Sequence, residues 1–241
     1  MTHASTDHAT RRDELAANLT EVRRRIAAAC DRAGRDPAEV TLVVVTKFFP
    51  ASDVRLLAEL GVTDVGENRH QEAEAKAAEC ADLGLRWHFV GGLQSNKAAA
   101  VAGYADVVES VDRVKLVNGL ARGAGERGAE VDCLVQVSLD PPGSGGGRAG
   151  AAPEQVAAVA DAIAAADGLR LRGVMGVAPL GEDPRPAFDR LVEIAAEVPS
   201  IDPSATWVSA GMSGDLEQAV EAGATHVRIG SAVLGERPVI K

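Results

Sequence analysis

The sequence predicts a single (β/α)8 TIM barrel preceded by one extra helix. Three observations lead there. Short β-branched apolar runs alternate with helical patterns eight times, and no shift in composition marks a domain boundary. The length of 241 residues also suits a barrel of this kind, which uses about 250 residues for one core. Eight alternations at this length favour a closed barrel over an open doubly wound sheet. The polar stretch 1–12 is expected to be a flexible tail and 13–241 the barrel domain.

The leading helix is expected over 14–33, where Leu15, Leu19, Val22, Ile26 and Cys30 recur at helical spacing before Gly34. A β-branched run over 40–47 makes the first strand, and Pro50, Ala51 and Ser52 open a helix that Gly61 stops. Further strands are expected at 63–65, 86–90, 106–111, 131–139, 169–177, 206–209 and 226–229. Helices are expected over 67–83, from near 95, through 127 and over 153–166. The Gly- and Pro-rich segment 140–152 reads as a mobile loop after the fifth strand.

Composition narrows the function. Hydrophobic residues make up 46% and charged residues 25%, the balance of a globular chain that buries a sizeable core. A net charge of −10, spread along the chain, opposes attraction to nucleic acid and to anionic membranes. Cys30, Cys80 and Cys133 lack paired spacing, so they read as buried small hydrophobes, not as a disulfide or zinc framework. The first residues carry no signal-like apolar core and no stretch is long enough to span a membrane, so a cytoplasmic protein is expected.

In a β/α barrel the chemistry lies at the carboxyl ends of the strands. Five of the 25 basic residues are lysines, and Lys47 closes an apolar strand. A lysine desolvated there has a depressed pKa and condenses with aldehydes; one that snorkels to the rim is the plain alternative. Gly211-Met212-Ser213-Gly214-Asp215 after the seventh strand and Ile229-Gly230-Ser231 after the eighth are small-residue turns, where barrels commonly hold phosphate. Each would also serve as an ordinary helix cap. A lysine opposite a phosphate cradle (Ser213, Gly230, Ser231) suits pyridoxal 5'-phosphate or a phosphosugar aldolase. Arg228, two residues before the cradle, favours the former: it stays protonated, so facing the pyridine nitrogen it keeps that nitrogen unprotonated and weakens the electron sink. An ion pair in the barrel wall is the alternative for Arg228.

Val45-Thr46-Lys47, Gly66-Glu67-Asn68, Trp87 to Gly91 with Leu93 to Lys97, Leu171 to Met175, Gly211-Met212-Ser213 and Arg228 to Ser231 together resemble the YggS/PROSC family of pyridoxal phosphate homeostasis proteins, from about Leu15 to Glu236. That family consists of single barrels related to the amino-terminal domain of alanine racemase. The resemblance implies an internal aldimine at Lys47, so covalent pyridoxal 5'-phosphate. It also implies a ring contact from Asn68, packing by Met175 and a pyridine-nitrogen contact from Arg228. Phosphate would be held by Ser213, Gly230 and Ser231 with Ser209, beside Met212. Ala210, Ser231, Arg148 and the Gly-rich loop depart from the usual family pattern, which puts loop contacts in doubt more than the cofactor site.

The expected role is storage, buffering or delivery of the cofactor without robust catalysis. Its partners are then pyridoxal phosphate, related vitamin B6 vitamers and pyridoxal-dependent apo-enzymes, met by a monomer. A low-activity racemase or lyase, with a rim group such as His88 as second base, is the alternative. Against it, the chain ends just past the eighth strand, and its single tyrosine, Tyr104, precedes the fourth. The fingerprint-like Gly145 to Gly150 is discounted because Pro141-Pro142 separates it from its strand.

Overall fold

The computed structural model describes residues 3–140 and 149–236. Eight parallel strands close into a barrel in sequence order: β1 (Thr41–Val45), β2 (Asp64–Glu67), β3 (Arg86–Phe89), β4 (Val107–Val111), β5 (Val131–Val137), β6 (Leu169–Gly176), β7 (Trp207–Ser209) and β8 (His226–Ile229). Helix α1 (His3–Ala33) leads, and α2 (Ala51–Glu59), α3 (His70–Glu79), α4 (Ala98–Ala102), α5 (Val117–Arg127), α6 (Val156–Ala164), α7 (Arg185–Ala195), α8 (Leu216–Ala222) and α9 (Ser231–Leu234) follow the strands in turn. Most of the segment expected as a mobile loop, 141–148, lies outside the described residues, as does the fingerprint-like stretch up to Arg148.

The polar tail expected over 1–12 is instead helical from His3. Its anchor is Arg11, whose guanidinium donates to Asp53 at 2.7 Å and to the Leu234 carbonyl at 3.0 Å. These contacts tie the start of α1 to α2 and α9, an attachment that hydrophobic periodicity does not report. The predicted apolar stripe Leu15, Leu19, Val22, Ile26 and Cys30 is buried against residues of α2, α8, β8 and α9. Cys30, Cys80 and Cys133 are all free and buried.

The first strand is shorter than expected. It stops at Val45, because Phe49 N–H turns back onto the Thr46 carbonyl and Phe48 adopts φ 71°. Lys47 therefore sits in a tight turn beyond the strand. The second strand is longer than expected and takes in Glu67, whose buried side chain is paired below; α3 accordingly starts at His70 and not near 67.

Alternation along the strands puts one face toward the helices and the other into the barrel. The inward set includes a small apolar cluster of Val107, Leu134 and Met175, with Val177 and Trp207 against it. At the floor, formed by strand starts, Arg86 and Arg172 lie over the Trp207 ring at 4.8 and 4.5 Å, and the His226 ring centroid is 4.4 Å away. Asp132 binds both Arg86 and Arg170 there.

This floor makes stability pH-dependent. Burial pulls the His226 imidazolium down to about 4 from 6.5, so the unfolded chain takes up the proton first. The contribution is complete above about pH 6.5 and is lost as pH falls toward 4, by on the order of 2–3 kcal/mol. Urea unfolding at pH 7 and pH 4.5 is expected to show that loss, and His226→Gln to flatten it.

Candidate functional site

At the carboxyl end of the barrel the strands surround a cavity of about 410 Å³. Lys47, Phe48 and Phe49 enter it after β1, Asn68 after β2, Val90 and Gly91 after β3, and Val177 after β6. Met212, Ser213 and Gly214 follow β7, Arg228 rises from β8, and Gly230 and Ser231 follow it. A larger cavity, about 790 Å³, lies on the outside among α3, α4 and α5, away from the strand ends, walled by small residues together with Glu74, Asp106, Glu126 and Arg127. Charged and hydroxyl side chains from different strands converge in the barrel mouth, and chemistry in this architecture belongs there.

The turn carrying Lys47 is fixed by one buried ammonium group. Lys76 Nζ on α3 donates to the Thr46 carbonyl at 2.8 Å and to Glu67 Oε1 and Glu72 Oε1 at 2.7 Å each. Thr46 Oγ1 donates to the same Glu67 oxygen at 2.7 Å, and Phe48 N–H to Glu72 Oε1 at 2.6 Å. Both neighbours of Lys47 are therefore tied to one cluster. The ties hold Phe48 in a left-handed conformation that a bulky residue otherwise avoids. Arg69 caps the Phe48 ring at 4.8 Å.

Opposite Lys47, the turns after β7 and β8 join through Ser213. Its Oγ accepts from Ala232 N–H at 3.2 Å and from Ser231 Oγ at 3.3 Å. The β7 turn needs glycine at 211, where φ is 91° and a Cβ would lie 2.6 Å from the Ala219 methyl. Asn68 Oδ1 is buried with no hydrogen-bond partner among the described residues. A buried orphan in a cavity wall costs free energy until a polar ligand pairs it.

Arg228 reaches the cavity from below. Its Nη1 donates to Ser209 Oγ at 2.7 Å and its Nη2 to the Gly176 carbonyl at 2.9 Å. Burial lowers its pKa while Glu109 and Asp215 oppose the shift. Ser209 passes its own hydrogen to Glu109 Oε2 at 2.6 Å. Burial would raise the Glu109 carboxyl, but His88, Arg228 and the Ser209 hydroxyl outweigh it and hold it at about 2.

The chain is similar to known proteins along most of its length. The family model for the alanine racemase N-terminal domain matches residues 11–238. The pyridoxal phosphate homeostasis protein of Mycobacterium tuberculosis is 44% identical over 94% of each chain. This chain belongs to the pyridoxal phosphate homeostasis protein family. The family member from Escherichia coli K12 is 36% identical over 95% of this chain and 99% of its own. The structure of PipY of Synechococcus elongatus, solved with PLP bound, is 35% identical, covers 92% of this chain and all of that one, and superposes with a TM-score of 0.78.

In this pyridoxal phosphate homeostasis family member, Lys47, Asn68, Met212, Ser213, Arg228, Gly230 and Ser231 meet in one cavity wall, as the sequence groups them. Met175 and Ser209 do not reach the wall. Met175 packs on Val107 and Leu134 inside the barrel, and Ser209 lies below Arg228. His88 is not a rim group: it is buried, with both ring nitrogens against carboxylates. Tyr104 stacks on His70 beside the outer cavity, away from Lys47.

Phe48, Phe49, Val90, Gly91 and Val177 also line the wall; Val90 and Gly91 fall within the motif Trp87 to Gly91, but the sequence assigns no role to any of the five. Glu109 had a sequence signal, as a lone charge inside the apolar run Val107-Val108-Glu109-Ser110-Val111. Gly91 is sterically required, because a Cβ there would come 2.1 Å from the Asn68 carbonyl oxygen. Gly91→Ala is expected to cost on the order of 2–3 kcal/mol in denaturant unfolding, and to weaken cavity binding by displacing Asn68.

Proposed function

We propose that this chain holds pyridoxal 5'-phosphate in the barrel mouth and acts as its store, buffer or donor, without robust catalysis. Lys47 would hold the cofactor covalently through its Nζ at the aldehyde carbon. The cofactor's own contribution is an electron-withdrawing pyridine ring conjugated to that carbon. Asn68 contacts the ring with its unpaired amide oxygen. Arg228 faces the pyridine nitrogen as a hydrogen-bond donor that does not give up its proton, which weakens the ring as an electron sink. Ser213, Gly230 and Ser231 would hold the phosphate with Met212 beside it, while Ser209 supports Arg228 and Met175 packs inside the barrel.

The single observation that carries this reading is the meeting of Lys47, Arg228 and the joined Ser213–Ser231 turn in one cavity. PipY, a relative solved with PLP bound, and the curated relatives named for pyridoxal phosphate homeostasis support it. The absence of robust catalysis is supported by the same wall. Among the described residues lining it there is no Asp, Glu, His, Tyr or Cys, so none of these supplies a second acid or base beside Lys47. His88 has no free nitrogen to offer.

Under this proposal a monomer in the cytoplasm exchanges the cofactor and related vitamers with pyridoxal-dependent apo-enzymes. The test is to load the protein, mix it with an apo-enzyme of that class, and follow reactivation. Transfer should proceed while the loaded protein alone leaves the α-proton of added amino acids unexchanged with solvent deuterium. Rapid exchange that depends on Lys47 would establish an enzyme instead.

A further inference from the structure

Five strands each place one polar side chain in the barrel interior, and together these form an unbroken chain. Asp64 Oδ1 lies 3.0 Å from His88 Nε2, and His88 Nδ1 lies 2.8 Å from Glu109 Oε1. Glu109 Oε2 accepts from Ser209, which accepts from Arg228. Arg228 Nη1 is also 3.7 Å from Glu109 Oε2. His88, Glu109, Ser209 and Arg228 are all deeply buried.

The directions of these bonds constrain where the protons sit. An arginine only donates, so Ser209 spends its hydrogen on Glu109, and that oxygen is an acceptor. Thr63 Oγ1 donates to Asp64 Oδ2 at 2.6 Å, so Asp64 is engaged as an acceptor as well. The buried Arg228 guanidinium beside Glu109 Oε2 and the hydroxyl donors on both groups favour the ionised form of each carboxyl, and these two carboxylates face the two nitrogens of one imidazole. A neutral ring has one N–H and one lone pair, and the lone pair would point at a carboxylate oxygen.

We infer that His88 is a buried imidazolium that donates from both nitrogens, and that His88 and Glu109 are positioning residues for Arg228. Two anions, Asp64 and Glu109, are then balanced by two cations, His88 and Arg228. Neutrality is what a buried ionic network needs, since an uncompensated charge there is costly. The other ionisable groups near His88 are His226 on β8, with ring centroids 6.4 Å apart, and Arg86 on its own strand, which acts on Asp64. His226 stays neutral down to about pH 4. Burial by itself would strip the His88 proton, but its two carboxylate partners outweigh burial and raise its pKa.

The consequence reaches the cavity. Glu109, held anionic by His88, keeps the Ser209 hydroxyl turned toward itself, so Ser209 always presents a lone pair to Arg228. With the Gly176 carbonyl on its other nitrogen, Arg228 cannot rotate. This inference rests on the proposed function only where Arg228 meets the pyridine ring; the proton on His88 stands apart from it.

Nitrogen NMR of the isotope-labelled chain without cofactor is expected to show both His88 ring nitrogens protonated at pH 7.5. The pattern of a neutral tautomer would overturn the assignment, whatever the protein binds. In Glu109→Gln, the His88 signals should begin to titrate near the ordinary histidine range, and pyridoxal phosphate should bind roughly tenfold more weakly. Unchanged affinity, with His88 titrating, would overturn the positioning role. Wild-type protein that shows the doubly protonated ring but binds no pyridoxal phosphate would sink the proposed function and leave the imidazolium standing.

Discussion

Lys47→Ala is expected to abolish the yellow absorption band that forms when pyridoxal phosphate is added, and to convert retained cofactor into cofactor that dialyses away. The expected effect on the covalent bond is all-or-none, because Lys47 is the one lysine among the described residues of the cavity wall. Lys76 is close in space but buried behind the Lys47 turn, and its three hydrogen bonds are to protein oxygens. The phosphate cradle and Arg228 remain in the variant, so weak reversible binding without the band is the expected residue of function. Absorption titration of the two proteins side by side checks this. A band of equal size in the variant would mean that another amine holds the aldehyde.

Lys76→Met is expected to have the largest effect on stability. It removes the cation shared by Glu67, Glu72 and the Thr46 carbonyl and leaves Glu67, 1% exposed, facing an apolar side chain. Breaking one side of a buried ion pair costs about 3–5 kcal/mol. Burial already raises the Glu67 pKa against the pull of Lys76 and Thr46, so in the variant Glu67 is expected to take up a proton, which reduces the loss at low pH. The turn carrying Lys47 should loosen at the same time, because Phe48 loses the support that holds its left-handed backbone. Urea unfolding reads the first effect. The rate at which the yellow band develops reads the second, and an unchanged rate would show that the cluster stabilises the fold without orienting Lys47.

The barrel was legible because short strand-like runs, several of them β-branched and apolar, alternate with helical patterns eight times, and eight such units leave little choice of architecture. The cavity was legible at Lys47, Arg228, Ser213, Gly230 and Ser231 because strand ends converge in a barrel, so residues far apart in sequence can be assigned to one rim. What lies beneath the rim was not. Asp64, His88 and Glu109 occupy inward positions on three successive strands, and their pairing depends on barrel register. Lys76 looks like an ordinary surface lysine one turn from Glu72; only the approach of α3 to β1 buries it. The helical start of α1 escaped notice because its polar residues carry no periodic apolar signal, and its anchors, Asp53 and Leu234, are remote in sequence. Local pattern thus reported the elements and their ends, while long-range polar pairing had to be seen.

The most direct test of the account is to load the protein with pyridoxal phosphate, reduce it with borohydride and map the labelled peptide by mass spectrometry. The sequence has five lysines, Lys47, Lys76, Lys97, Lys115 and Lys241, so the assignment is unambiguous. The account predicts a phosphopyridoxyl group on Lys47 at one per chain. Label on any other lysine, or none at all, would contradict it.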